Sequence, residues 1–184
     1  MAAPMEPRLP RLMIQIDTNL INARQKLTAV NRLEKWCQDG VLLINMSATA
    51  HSEAKAGNDE RRARKADQQI FTVTPPGDRA DPTYRRIEDA LFPAGAKDDS
   101  ERNDVRIVFE AAKYGAILVT GDGGSRSQLG GILGNRDKLM DLVRILSPDE
   151  AVTFVERKIR ERDDFNARVA REYGGELPAW TGHD

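Results

Sequence analysis

Four acids stand far apart in the chain, yet at places where a folded sheet protein would collect them: Asp17, Glu53, Asp104 and Asp122. Asp17 directly follows the apolar run Leu12–Ile16, and Asp122 follows Ala116–Thr120 by one glycine. Open parallel sheets bind ligands outside the carboxyl ends of their strands, where the strand order reverses. Two acids at such ends can meet in one crevice. Asp104 opens the stretch DVRIVFEAAKYG, in which Ile107, Val108, Ala111 and Ala112 fall at helical spacing on the same stripe as the acid. An acid on a buried stripe is costly unless it is paired, capping or bound to metal. Glu53 lies in SATAHSEAKAG, where Ala50, Ala54 and Gly57 share its face and permit close approach to a sheet. Carboxylates that converge without matching Lys or Arg repel one another and raise their pKa values. A divalent cation relieves that repulsion, and oxygen-only ligands suit Mg²⁺ or Mn²⁺. One or two such ions activate water and steady the leaving oxygen of a phosphodiester, so this set points to phosphodiester cleavage.

Each acid also has a plainer reading. Asp17 and Asp122 can cap the helices that follow them. Asp104 can sit in a first helical turn, where the dipole favours an acid. Glu53 can face solvent on a short helix. Asp98 and Asp99, just ahead of Asp104, read as outer-shell acids or solvated loop residues. Arg61, Arg62, Arg64 and Lys65, with Arg85 and Arg86, form either a phosphate track or a solvated helix face. Arg126 is the basic residue in sequence best placed beside Asp122 to meet a substrate. The glycine-rich GDGGSRSQLGG lacks the lysine and the order of a phosphate-binding loop. His51 and His183 have no Ser or Cys partner, which argues against a nucleophilic triad.

The elements that must position these residues alternate along the chain. Leu12–Ile16, Val41–Met46, Phe71–Thr74, Ala116–Thr120 and Val143–Leu146 are short continuous apolar runs, the pattern of parallel strands covered on both faces. Helix-like segments lie between them, among them the amphipathic Lys26–Gln38, so βαβ crossovers are expected. Ser147-Pro148-Asp149-Glu150 is a capping box with a first-turn proline, and Gly174-Gly175 stops the helix it opens. This last segment reads as a helix leaving the domain, followed by a loose tail, and Asn58–Lys65 as the most mobile middle stretch. Cys37 and Trp36 are assigned to the core, and Trp180 to packing in the tail or on a partner.

A chain of 184 residues fits one domain, with 40% hydrophobic residues to build a core and 31% charged residues to solvate it. The net charge of −1 excludes a global electrostatic grip on nucleic acid but not a local basic patch. One cysteine allows neither an internal disulfide nor a cysteine-built zinc site, consistent with a reducing cytosol. The first ten residues lack the apolar run of a signal peptide, and no stretch nears the ~20 residues of a membrane span, so a cytoplasmic protein is expected.

The ordered set Ile16-Asp17-Thr18-Asn19, Glu53, Asp104 with Ile107 and its alanines, and Leu118-Val119-Thr120-Gly121-Asp122 resembles the PIN-domain family. The similarity runs from about Leu12 to Val155. It implies an α/β fold of three layers, α/β/α, with a central parallel sheet of about five strands. It also implies a Mg²⁺ or Mn²⁺ site for endonucleolytic cleavage of single-stranded RNA, with Asp17, Glu53, Asp104 and Asp122 as the metal-site acids. Asn19 would orient the first carboxylate, and Thr120 would support the strand end. Ser125 or Ser127 would compensate for Gly123-Gly124, where the family often carries another polar or acidic side chain. Arg126, Arg61 and Arg62 are candidates for substrate binding. Family members commonly dimerise, and some, of the VapC type, are toxins held by a small antitoxin protein. The domains expected are a flexible N-terminus (1–11), a nuclease domain (12–160) and a charged helical extension with a tail (161–184).

Two other functions compete. A PIN-like fold kept as an interaction scaffold is opposed by the full set of acids and favoured by Gly123-Gly124. A haloacid-dehalogenase-type phosphohydrolase also opens with Asp after a strand, but it needs a second Asp where Asn19 stands. A phosphoacceptor receiver domain would need an early acidic pair and a late lysine, neither of which is well placed.

Overall fold

The computed structural model of the chain describes residues 5, 6, 8, 12–21, 24, 26–56, 58–69, 73–124 and 129–184, with 68 and 69 as backbone alone. Five strands, β1 (Met13–Ile16), β2 (Leu43–Ser47), β3 (Val73–Thr74), β4 (Ile117–Val119) and β5 (Ile145–Leu146), pair in parallel in the order β3-β2-β1-β4-β5. The expected parallel α/β sheet is therefore present. Strands β1, β2, β4 and β5 are shorter than their apolar runs, and flanking residues such as Val41, Leu42 and Ala116 are buried without entering the ladder. Phe71 and Thr72, expected in the third strand, lie outside the described residues.

The helices are α1 (Thr28–Gln38), α2 (Ala48–Ala56), α3 (Glu60–Gln69), α4 (Pro82–Leu91), α5 (Asp99–Lys113), α6 (Gly131–Gly134) and α7 (Pro148–Tyr173), with 3-10 turns at Thr18–Leu20 and Arg136–Leu139. From β1 to β2 the chain steps toward one edge of the sheet, and from β3 to β4 it steps back past β1. Right-handed crossovers in opposite directions place α1 and α5 on opposite faces. Accordingly α1 packs with α7, whereas α5 packs with α4 and α2. The strand order reverses between β1 and β4, and the register Ile16↔Val119 sets Asp17 beside Thr120 at that point.

Local chemistry ends each element where the sequence provides for it. Ser147 and Glu150 form the reciprocal capping box of α7, with Pro148 in its first turn. Asp81 caps α4 from one side only, accepting from the Thr83 N–H. Inside, Leu33, Ile87, Ile107, Leu118, Leu139 and Val155 are fully enclosed, each buried side chain contributing roughly 1.5–3 kcal/mol.

Three expectations about local order change. Asp104 does not open its helix: α5 begins five residues earlier, where Asp98 accepts from the Glu101 N–H and caps it. The Asn58–Lys65 stretch is largely helical within α3 and tied down, since Lys65 pairs with Glu34 at 2.8 Å and Arg62 Nη2 donates to the Thr18 carbonyl at 2.6 Å. The C-terminal segment does not leave the domain. Arg162, only 1% exposed, lies in α7 under the Trp180 ring at 4.3 Å, donates to the Arg8 carbonyl at 2.7 Å and pairs with Asp184 at 2.9 Å. Asn166, on the same face, takes both the N–H and the carbonyl of Glu6. A buried cation thus clasps both ends of the chain onto α7.

Removing one partner of a buried ion pair leaves the other charge uncompensated, at a cost of about 3–5 kcal/mol. Arg162→Ala should lose stability of that order in urea denaturation. A loss below about 1 kcal/mol, the scale of exposed pairs, would show that the clasp is only a surface contact.

Candidate active site at the carboxyl edge of the sheet

Asp17 is 6% exposed and held from three sides. Its Oδ1 accepts the Thr18 N–H at 2.6 Å, and its Oδ2 accepts Asn19 Nδ2 at 2.8 Å and the Thr120 hydroxyl at 2.6 Å. Asp17 does cap the 3-10 turn that follows it, so the capping role and a place in the site coexist. Asn19 is fixed in turn, its Oδ1 accepting the Gly121 N–H at 3.1 Å. Burial pushes the Asp17 carboxyl up, Thr120 and Thr18 pull it back by hydrogen bonding, and the charges of Glu53 and Asp122 push it up again.

Glu53 reaches the same crevice from α2. Its Oε2 accepts the Thr18 hydroxyl at 2.7 Å, and its Oε1 accepts Asn103 Nδ2 at 2.7 Å. The solvent-facing alternative is therefore not the arrangement found. Ala50 and Ala54 on the same helix are buried; Gly57 lies outside the described residues. Asp122 is held by backbone N–H groups of the loop after β4 and of α6: Oδ1 accepts Gly124 N–H at 3.0 Å and Oδ2 accepts Ile132 N–H at 2.8 Å. A side chain at Gly131 would strike that carboxylate at 2.5 Å, so the close approach of α6 requires a glycine there.

Asp104 differs from the other three. It projects from the second turn of α5, half-buried, with no hydrogen-bond or ion-pair partner among the described residues. Its carboxyl is pushed up to about 7, first by burial and then by the charges of Asp122, Asp17, Glu53 and Glu101. The structure thus brings the four acids within electrostatic reach of one another, and no Lys or Arg among the described residues pairs with any of them.

The other candidates separate. Arg62 touches the site through the Thr18 carbonyl, whereas Arg61 is exposed. Arg86 is engaged by Asp141 at 2.7 Å on α4, and Asp99 pairs with Arg102 at the surface. Ser125, Arg126 and Ser127 lie outside the described residues. Sequence reasoning gave no role to Thr18 or Asn103, the two direct partners of Glu53. Each is the chain neighbour of a candidate acid, and that adjacency was the available signal. It also missed Glu110, 1% exposed on α5, whose carboxyl is raised by burial while Ser47 and Thr49 hydrogen-bond it. Gln15 and Asn45, paired across β1 and β2, line the same buried face and keep unsatisfied side-chain atoms.

The donor set fits a hard divalent cation in kind, being carboxylate oxygen with one unpartnered acid in it. Hydrogen-bonded carboxylate oxygens keep a second acceptor direction for an ion. As arranged, however, no three His, Cys, Asp or Glu among the described residues stand close enough together to hold one.

No family model and no curated protein matches the chain. Among solved structures, a chain of the crystal structure of VapBC2 from Rickettsia felis bound to a DNA fragment from their promoter is similar at 16% identity and a TM-score of 0.49, covering 74% of this chain and 98% of that one.

A carboxyl raised in the folded state binds a proton that the unfolded chain has already lost, so its contribution to stability falls as pH rises from about 4 to about 7. In chelator, Asp104→Asn should flatten this fall and be the more stable form at pH 7.5, by on the order of 1–2 kcal/mol after allowing for partial exposure. Denaturation midpoints at pH 5 and pH 7.5 measure this; parallel pH profiles for the two proteins would contradict it.

Proposed function

We propose that this chain is a PIN-like, metal-dependent endoribonuclease whose reaction centre is Asp17, Glu53, Asp104 and Asp122. One observation carries the reading: Asp104 is half-buried, without a hydrogen-bond or ion-pair partner among the described residues, and pushed up to about 7 first by burial and then by the charges of the other acids. Such an arrangement is costly to folding and becomes favourable when a cation occupies it. RNA as the substrate follows from the resemblance to the PIN family, as do Mg²⁺ or Mn²⁺ as the ion, a homodimer and a small antitoxin-like partner. In this reading residues 12–160 are the nuclease domain and the setting is the cytoplasm.

When bound, the ion supplies Lewis-acid stabilisation of a phosphoryl oxygen and lowers the pKa of a water. The chain's own part is positional. Thr120 and Asn19 fix the Asp17 carboxylate, Thr18 and Asn103 fix Glu53, and the Gly124 and Ile132 N–H groups fix Asp122. Asp104 is left free to turn toward a ligand or to hold a proton, because no hydrogen bond or ion pair restrains it among the described residues. Arg62, anchored on Thr18, lies at the rim where a backbone phosphate would pass; Arg61 and Arg126 are further cations for the same strand.

The scaffold alternative draws on a specific observation: both Asp122 oxygens are engaged by backbone N–H groups, as in a purely structural cap. The two readings part on one assay. A labelled single-stranded RNA should be cleaved with Mg²⁺ or Mn²⁺ and left intact in EDTA, and Asp104→Asn should slow cleavage by about 10²-fold or more, the scale of losing a group that acts at developing charge. A folded protein that cleaves nothing with either ion would favour the scaffold.

A further inference from the structure

A cavity of about 560 Å³ opens between α2 and the first half of α5, with Glu53 in its wall and the other three acids outside its lining. Thr49 and Ser52 line it from α2, Asn103 and Arg106 from α5, and Pro76 from the loop after β3. Its size falls within the roughly 300–1,000 Å³ of small-ligand sites. We infer that this cavity is a subsite for one unstacked nucleotide of the substrate strand, with Arg106 taking its phosphate. The inference rests on the nuclease reading and adds to it a place for the nucleotide next to the bond that is cut.

The polar groups are already arranged for that task. Arg106 Nη1 donates to Asn103 Oδ1 at 2.8 Å, and Asn103 Nδ2 donates to Glu53 Oε1 at 2.7 Å. One chain of hydrogen bonds thus fixes the guanidinium relative to the reaction centre. Among the described residues Arg106 makes only that one bond, which leaves most of its five donors for a ligand. A planar guanidinium with free paired donors matches a phosphate's oxygens in both geometry and charge. Of the two acids in the wall, Asp99 is matched by Arg102 at 3.1 Å and Glu53 is bonded by Thr18 and Asn103.

The rest of the wall suits a base and its sugar. Thr49 gives its proton to buried Glu110 at 3.2 Å, so toward the cavity its oxygen acts as an acceptor for a ligand N–H or hydroxyl. Ser52 is exposed and free to serve as donor or acceptor. Ala48, Ala56 and Pro76 supply an apolar surface of the kind on which a base face rests. A base can enter only after leaving its stack, so the cavity selects single strands over duplex.

The test is a titration of the full chain in EDTA with 5′-AMP and 5′-UMP, followed by amide chemical shifts, with inorganic phosphate as a control. Shifts should concentrate on Thr49, Ser52, Asn103 and Arg106. Arg106→Ala should weaken binding by about tenfold or more, as expected for losing a charge-assisted hydrogen bond. Ser52→Trp changes an exposed position and fills the cavity without touching the core; it should also abolish binding. No shifts there at millimolar nucleotide, or phosphate binding as tightly as nucleotide, overturns the inference. RNA cleavage assays separate it from the reading beneath it. Metal-dependent cleavage with KM and base preference unchanged in both variants would sink the subsite and leave the nuclease standing. Nucleotide binding at these residues without any cleavage would keep the subsite and sink the nuclease.

Discussion

Mutual repulsion among carboxylates at one end of a parallel sheet is the constraint to which the rest of this molecule answers. Asp17 and Asp122 arrive at adjacent strand ends because β1 and β4 pair where the strand order reverses. Asp104 and Glu53 arrive on helices from the α5 side of the sheet, since α2 and α5 pack together. Three of the four are held by hydrogen bonds, and Asp17 is raised by burial in spite of them, whereas Asp104 has no such bond among the described residues. Its carboxyl is pushed up first by burial and then by the charges of the acids around it.

Keeping such a site requires stability elsewhere. The fully buried aliphatic core on both faces of the sheet provides most of it. Loops are fixed with little apolar material: Gly131 lets α6 approach Asp122, and Asn135 Nδ2 donates to the Gly131 carbonyl at 2.8 Å. At the opposite extreme of the chain, the Arg162 clasp joins the segment around Glu6 and Arg8 to the residues after α7. The buried polar face of Gln15, Asn45 and Glu110 lies directly behind the site, reached from it through Thr49. A polar layer there fixes α5, and with it Asp104 and Arg106, to β1 through Gln15 Nε2 and the Ile107 carbonyl at 2.8 Å.

Much of this architecture is legible in the residues. Continuous apolar runs read as parallel strands because both faces of the sheet are covered, and acids following such runs read as a site because strand ends converge there. Asp17, Asn19 and Thr120 lie in hydrogen-bonding contact, a spacing that the strand register alone implies. What escaped was set by tertiary partners. The start of α5 was misplaced because Asp98, Asp99 and Ser100 look like a loop until one of them caps the helix. The charged α3 looked mobile because amphipathicity says nothing of Lys65 finding Glu34 or of Arg62 finding a backbone carbonyl. Arg162 and Glu110 look like surface residues in any helical pattern, and only the packed neighbours show them enclosed. The cavity at Arg106 has no sequence signature, since it is a space between elements.

The central claim is that the four acids form one electrostatic unit awaiting a cation, and the titration of Asp104 measures that unit directly. Carboxyl-detected NMR of the labelled protein, in chelator and then with Mg²⁺, would follow it. The account predicts a midpoint near 7 in chelator, displaced downward by at least about one unit when Mg²⁺ is added, because a bound cation favours the charged carboxylate. A midpoint in the ordinary range of about 3–5, unmoved by Mg²⁺, would contradict it and leave the acids as separate structural caps.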